Sequence, residues 1–256
     1  MKVTILGCGG SYGVPMIGGI WGDCDPANPR NRRTRASILV EQGGTTLLVD
    51  TGPELRLQLA SVGVSKLDGV LYTHAHADHC HGIDDLRGLN NINGQPIDVY
   101  GDSDTLRQLR ERFAYCFQPP VKPGHYAARP SLIPYTITEP FTVGAIDVVP
   151  FVQDHGFSES LGFRFGPIAY STDVVRLSEE AFRTLEGVDT WIVDCVRLEP
   201  AHPVHAHWEI TRGWIERVKP RRAVLTHMNH TMDYDTLARL LPPGVEPGYD
   251  GMVLEV

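Results

Sequence analysis

Residues Thr73-His74-Ala75-His76-Ala77-Asp78-His79 stand directly after the apolar run Gly69 to Tyr72, which reads as a β-strand. Four side chains that bind metal ions, in this order at a strand end, have little purpose in a merely solvated loop. If the strand continues, His74 and His76 point the same way, and the chain then turns to return Asp78 and His79 from the next element. Two adjacent metal sites become buildable. The small Ala75 and Ala77 let backbone and ligands crowd together, and imidazole with carboxylate suits zinc or manganese, with iron a further option.

Four ligands do not close two sites, so other strand ends must contribute. His155 follows the strand Ala145 to Phe151, Asp173 follows Ile168 to Tyr170, and His227 follows Ala223 to Leu225. Asp173 is the acidic residue able to bridge two cations. Helical patterns at 53–61, 103–115, 178–185, 207–218 and 233–240 alternate with the strands, which predicts a layered α/β domain over 1–256. Residues 14–35 and 117–134 read as long irregular surface loops.

Charge limits the partners. The 23 Lys+Arg against 31 Asp+Glu leave a net charge of −8, which works against gripping a long nucleic acid through many phosphates. A small-molecule substrate is expected. No apolar run is long enough to span a bilayer, and the start of the chain has no signal-peptide pattern. The five cysteines never form a C-x-x-C pair, so a reducing cytoplasm is the expected location.

Two features are weaker. Gly9-Gly10-Ser11-Tyr12-Gly13 satisfies the G-x-S-x-G pattern of serine hydrolases, but no helix can start in the Pro- and Gly-containing segment behind it. Ser11 is better read as a hydrogen-bond donor to substrate. Arg30, Arg32, Arg33 and Arg35 form a basic cluster in an acidic chain, expected to be tied down by acidic neighbours, with one of them available to a substrate phosphate.

With these residues in order, and with Asp50 in Leu-Leu-Val-Asp-Thr-Gly ahead of them, the sequence resembles the metallo-β-lactamase superfamily. The resemblance implies a four-layered αββα sandwich with two divalent metal ions at one edge. It implies that His74, His76 and His155 hold one ion, that Asp78, His79 and His227 hold the other, and that Asp173 bridges. Asp50 would sit behind the ligands, accepting a ligand histidine's other N–H. An Asp at the bridging position, with no cysteine ligand, is similar to the phosphodiesterase branch. The Gly7–Pro15 loop and the tail from Leu241 to Met252 are similar to the PhnP family, cyclic-phosphate phosphodiesterases of the carbon-phosphorus lyase pathway.

That resemblance implies hydrolysis of a small, cyclic, nucleotide-like or phosphoribosyl diester by a hydroxide shared between the ions, with Asp78 and His207 as catalytic residues. His207 would protonate the leaving oxygen, and His202 and His205 are read as its surface neighbours. Ser11 and His230 are the expected substrate contacts. The family's remote zinc, held by three cysteines and a histidine, retains only Cys24 and His230 here. A homodimer is the implied assembly. Two rivals share parts of the pattern: a tRNA 3′-end processing nuclease, and a non-hydrolytic accessory protein of pyrroloquinoline quinone biosynthesis.

Overall fold

The computed structural model describes residues 1–119 and 128–256. Its first sheet is built from Lys2–Gly7 (β1), Ser37–Gln42 (β2), Thr45–Val49 (β3), Gly69–Leu71 (β4), Ile97–Gly101 (β5) and Leu132–Thr136 (β6). The second holds Phe141–Val143 (β7), Ile146–Asp154 (β8), Glu159–Phe165 (β9), Ile168–Ser171 (β10), Arg176–Leu177 (β11), Thr190–Asp194 (β12), Arg222–Thr226 (β13) and Val245–Pro247 (β14). Val253–Glu255 (β15) returns to pair with β1. The first sheet is ordered β15-β1-β2-β3-β4-β5-β6 and the second β11-β8-β9-β10-β12-β13-β14, with β7 beside β8.

The layers follow from side-chain alternation, since successive strand residues face opposite sides. In β2 and β3, Ile38, Val40, Leu47 and Val49 join the core shared with the second sheet. Leu39 and Leu48, between them, face a second core. That outer core is completed by Leu55–Ser61 (α1), Ala77–Cys80 (α2), Leu86–Asn93 (α3) and Ser103–Arg112 (α4), through Leu55, Leu59, Cys80, Leu86, Leu89, Leu106 and Leu109. Glu179–Leu185 (α5), Trp208–Val218 (α6) and Tyr234–Leu240 (α7) pack against the second sheet through Ala181, Leu185, Trp214, Ile215 and Leu237. The result is an αββα sandwich. Asp102, Ser178 and Asp233 start α4, α5 and α7 by accepting backbone N–H groups, as their sequence positions predict.

Some elements differ from the sequence reading. The strand before the histidine motif ends at Leu71, so His74 and His76 lie on a loop rather than on a continued strand. The predicted loop 117–134 contains the start of β6, and part of it lies outside the described residues. The 14–35 segment is irregular apart from a 3-10 turn at Pro29–Asn31, yet it is no mere surface loop, for Val14, Cys24, Asn31 and Arg33 are buried. Among the described residues no helix is long and apolar enough to cross a membrane.

Candidate metal centre

One edge of the sandwich collects the chain's strand ends. β3, β4 and β5 run parallel, as do β10, β12 and β13, and β8 shares the direction of β10 because both are antiparallel to β9. Asp50 therefore follows β3, the His74–His79 segment follows β4, and His155, Asp173 and His227 follow β8, β10 and β13. Asp194 is the last residue of β12. Asp50, Asp173 and His227 have φ of 65°, 55° and 56°, a left-handed conformation that costs a non-glycine residue about 1 kcal/mol or more and recurs where function fixes the backbone. Glycine lets the layers close. A Cβ on Gly52 would lie 2.7 Å from the Asp78 carbonyl, and one on Gly82 would lie 2.1 Å from the Gly52 carbonyl.

Asp173 is at the centre of the edge. Its Oδ1 lies 3.7 Å from His74 Nε2 and 3.6 Å from His155 Nε2, while its Oδ2 lies 3.0 Å from His79 Nε2 and 3.4 Å from His227 Nε2. Two ligand groups share this one carboxylate: His74, His76 and His155 on one side, Asp78, His79 and His227 on the other. His74 Nε2, His79 Nε2, His227 Nε2 and Asp78 Oδ2 are buried with no hydrogen-bond partner, a costly state unless a cation takes them up. This donor set, all nitrogen and oxygen, fits divalent metal ions.

Outer contacts aim the rings. Asp50 Oδ2 lies 2.8 Å from His79 Nδ1, and both its oxygens also accept from Thr73, whose N–H and hydroxyl are each 2.8 Å away. His155 Nδ1 donates to the Val204 carbonyl at 2.8 Å, leaving Nε2 for the cluster. A third group adjoins these two. His205 stacks on His227 with ring centroids 4.6 Å apart, and its Nδ1 lies 3.2 Å from Asp194 Oδ2.

The charges divide the two sides. Burial keeps His74, His76 and His155 below the ordinary imidazole range, so these rings are uncharged at neutral pH and each keeps one nitrogen lone pair for a cation. Burial also opposes the charged form of His227, but the Asp173 carboxylate, with Asp78 and Asp194, outweighs it and lifts His227 to about 9. The same contest, led by Asp173, Asp78 and Asp50, raises His79. An ion entering the His79/His227 side must therefore displace protons, and an ion entering the other side need not. Affinity at the His79/His227 side is expected to rise with pH through neutrality, because both raised imidazoles must lose a proton before they can ligate, and the ion's entry should release protons near pH 7. Calorimetric zinc titrations in buffers of unequal ionisation enthalpy check this; pH-independent binding at both sides would refute it.

Other expected site residues fall elsewhere. His207 is the residue preceding α6; its ring makes no cap hydrogen bond and joins none of the three ligand groups, its Nδ1 being buried without a partner, whereas His205 belongs to one of those groups and stacks on His227. Ser11 is exposed in a turn, next to Gly10, which packs against His227. His230 packs on Gly22, its carbonyl accepts from the Asp23 N–H, and it joins no ligand group among the described residues. Cys24 belongs to no ligand group among the described residues, and its sulfur faces the Arg33 guanidinium at 3.8 Å. Of the four arginines, Arg35 alone forms an ion pair among the described residues, with Glu54. Arg30 lies over Tyr234 and Tyr249, and Arg32 over Trp21, while Asp233 accepts from Asn31 at 2.8 Å and Asp250 from the Thr34 N–H at 2.7 Å, so aromatic faces and carboxylates together hold the loop.

Comparison with known proteins agrees with this edge. A Beta-lactamase superfamily domain model matches residues 45–228. A crystal structure described as a new diphosphatase from the PhnP family superposes with a TM-score of 0.89 and 32% identity, covering 100% of this chain and 97% of that one. The chain belongs to the PhnP family of the metallo-β-lactamase superfamily. It is also 31% identical over 254 residues to an octanoyltransferase of Porphyromonas gingivalis, covering 98% of this chain and 51% of that protein. A ribonuclease Z of Bradyrhizobium sp. is 28% identical over 141 residues, covering 54% of this chain and 46% of that protein. The chain thus spans about half the length of these curated relatives. What the PhnP-family frame adds is a family of hydrolases, and the His/Asp clusters are of the kind that hold divalent metals in this fold.

Proposed function

We propose that this protein is a dinuclear-metal phosphodiesterase acting on a small cyclic, nucleotide-like or phosphoribosyl diester. The observation that carries the reading is Asp173, one buried carboxylate with an oxygen toward each histidine group. His74, His76 and His155 would hold one ion, Asp78, His79 and His227 the other, and Asp173 both, with zinc or manganese suited to the donors. When bound, such ions supply Lewis acidity and a water ionised near neutral pH.

The chain's own groups then order the substrate and move the proton. Asp194 accepts from His205 Nδ1 and fixes the ring, so that the imidazolium form, protonated on Nε2 as well, gives its Nε2 proton to the departing alkoxide and is left as the Nδ1–H tautomer. Asp50 and the Val204 carbonyl keep His79 and His155 from turning away. The net charge of −8 favours a small substrate over tRNA.

A second reading is hydrolysis of a small diphosphate, favoured by the 32% identical PhnP-family structure being that of a diphosphatase. The same residues would serve, since the leaving oxygen is then a phosphate oxygen that needs less help from His205. Metal-loaded protein assayed on bis-p-nitrophenyl phosphate, a ribose cyclic phosphate, ADP-ribose and a pre-tRNA tests these readings together. Turnover of the first two supports the proposal. Turnover of ADP-ribose alone moves it to the second reading, cleavage of the pre-tRNA to a nuclease, and no turnover at all leaves a binding protein.

A further inference from the structure

Phe157 is 95% exposed, although it stands only two residues beyond the ligand-group member His155. The turn that carries it is firmly built. His155 N–H donates to the Ser158 carbonyl at 2.9 Å, Phe157 N–H donates to the His155 carbonyl at 3.1 Å, and Gly156 takes φ of 80°. An isolated exposed apolar residue needs no explanation on its own. This one borders a cavity of about 360 Å³ whose other walls include His74 and His76, so it adjoins the metal centre directly. The volume lies in the range of small-molecule sites, ~300–1,000 Å³.

The remaining walls select the occupant. Asp102, Asp104 and Glu159 line the cavity together with Gln108 and Ser158; among the described residues no arginine or lysine lines it, Arg112 being spent on the Ala75 carbonyl and the Gln108 side chain. Asp102 is committed to the N-terminus of α4, and Asp104 is paired with Arg107 and Gln108, while Glu159 has no ion-pair partner among the described residues. A wall of this charge repels a phosphate and favours a neutral group that donates hydrogen bonds. An exposed aromatic face favours a flat ring. Phe157 also borders a neighbouring cavity of about 500 Å³, but no histidine of the centre lines that one.

We propose that this cavity is the nucleobase subsite of the enzyme, with Phe157 as the stacking platform that sets specificity for base-bearing substrates. The proposal rests on the phosphoester-hydrolase reading for the position of the phosphate, which would lie at the metal centre while the base extends over Phe157. Phe157 belongs to none of the ligand groups, so truncating its side chain leaves the donor set intact and bears on the organic portion of the substrate.

The test compares adenosine 2′,3′-cyclic phosphate with methyl riboside 2,3-cyclic phosphate, which lacks the base. Phe157→Ala should raise KM for the adenosine ester roughly tenfold, the low end of what one base–aromatic stack contributes, with kcat within about twofold. The riboside ester should be unaffected, and Phe157→Trp should restore the adenosine KM. Equal effects on both esters, or none on either, would overturn the proposal.

Direct binding of AMP and ribose 5-phosphate to metal-loaded protein gives a readout independent of turnover. A preference for AMP in the parent, lost in Phe157→Ala, supports the subsite even if neither ester is hydrolysed, an outcome that would defeat only the phosphodiesterase reading. No preference in the parent overturns the subsite. A side chain this exposed can be truncated without unfolding the protein, which an unchanged thermal midpoint would verify.

Discussion

Asp173→Asn is expected to lower the metal content from two ions per chain to one or fewer and to cut diester hydrolysis by roughly three orders of magnitude, about 4 kcal/mol of transition-state stabilisation. The carboxylate reaches both histidine groups, Oδ1 toward His74 and His155 and Oδ2 toward His79 and His227. It is fully buried and held well below the ordinary carboxylate range: burial opposes its charge, and His227, His79 and His74 overcome that cost. An amide keeps the shape but offers one oxygen, no net charge and an NH2 group that cannot ligate. Asn is also the better choice than Ala here because the residue has φ of 55°, which Asn tolerates and Ala resists. Asp173→Ala serves as the harsher control, with about 1 kcal/mol of backbone strain added. Elemental analysis and circular dichroism on the same preparations decide the matter. Two tightly held ions in both folded variants would reject a shared carboxylate.

Much of this centre was legible in the sequence because ligands at strand ends leave a local mark. His155, Asp173 and His227 each follow an apolar β-rich run, and the His74–His79 segment needs no tertiary information to be noticed. The two sheets were legible for the same reason, since β2 and β3 carry apolar residues facing both neighbouring layers. What escaped was short or locally unfavourable. α3 contains Gly88 and three asparagines, poor helix formers, and is held by burial of Leu86, Leu89 and Asn90. β6, β7 and β14 are half-exposed and short, and two of them contain proline. Asp194 ends an apolar β-run much as Asp173 follows one, but as the last residue of β12 it has no histidine beside it in sequence to mark it as part of a site. His205 and His207 are two residues apart in one histidine-rich loop, and only the approach of Asp194 from another strand separates them.

That separation sets the other large effect. His205→Ala should slow hydrolysis of an ester with a ribose alkoxide leaving group by roughly a hundredfold or more, the range for loss of a general acid. Its ring is buried against His227 and tied to Asp194, but it is not needed to complete either side of the Asp173 cluster, so both metals should remain bound. Asp194 Oδ2 keeps its 3.0 Å bond from the Val174 N–H, which limits the damage of leaving that carboxylate without the imidazole. With a p-nitrophenolate ester the loss should be much smaller, because that group departs without a proton. Asp194→Asn should reproduce the pattern more weakly, since it disturbs the orientation of His205 and spares the ring. His207→Ala should leave both rates near those of the parent, for its side chain caps no helix N–H and faces no member of the cluster by hydrogen bond. Steady-state rates on both esters, with metal content measured alongside, distinguish the roles. Equal losses on the two esters would make His205 a positioning residue, and a leaving-group-dependent loss in His207→Ala instead would return the proton transfer to His207.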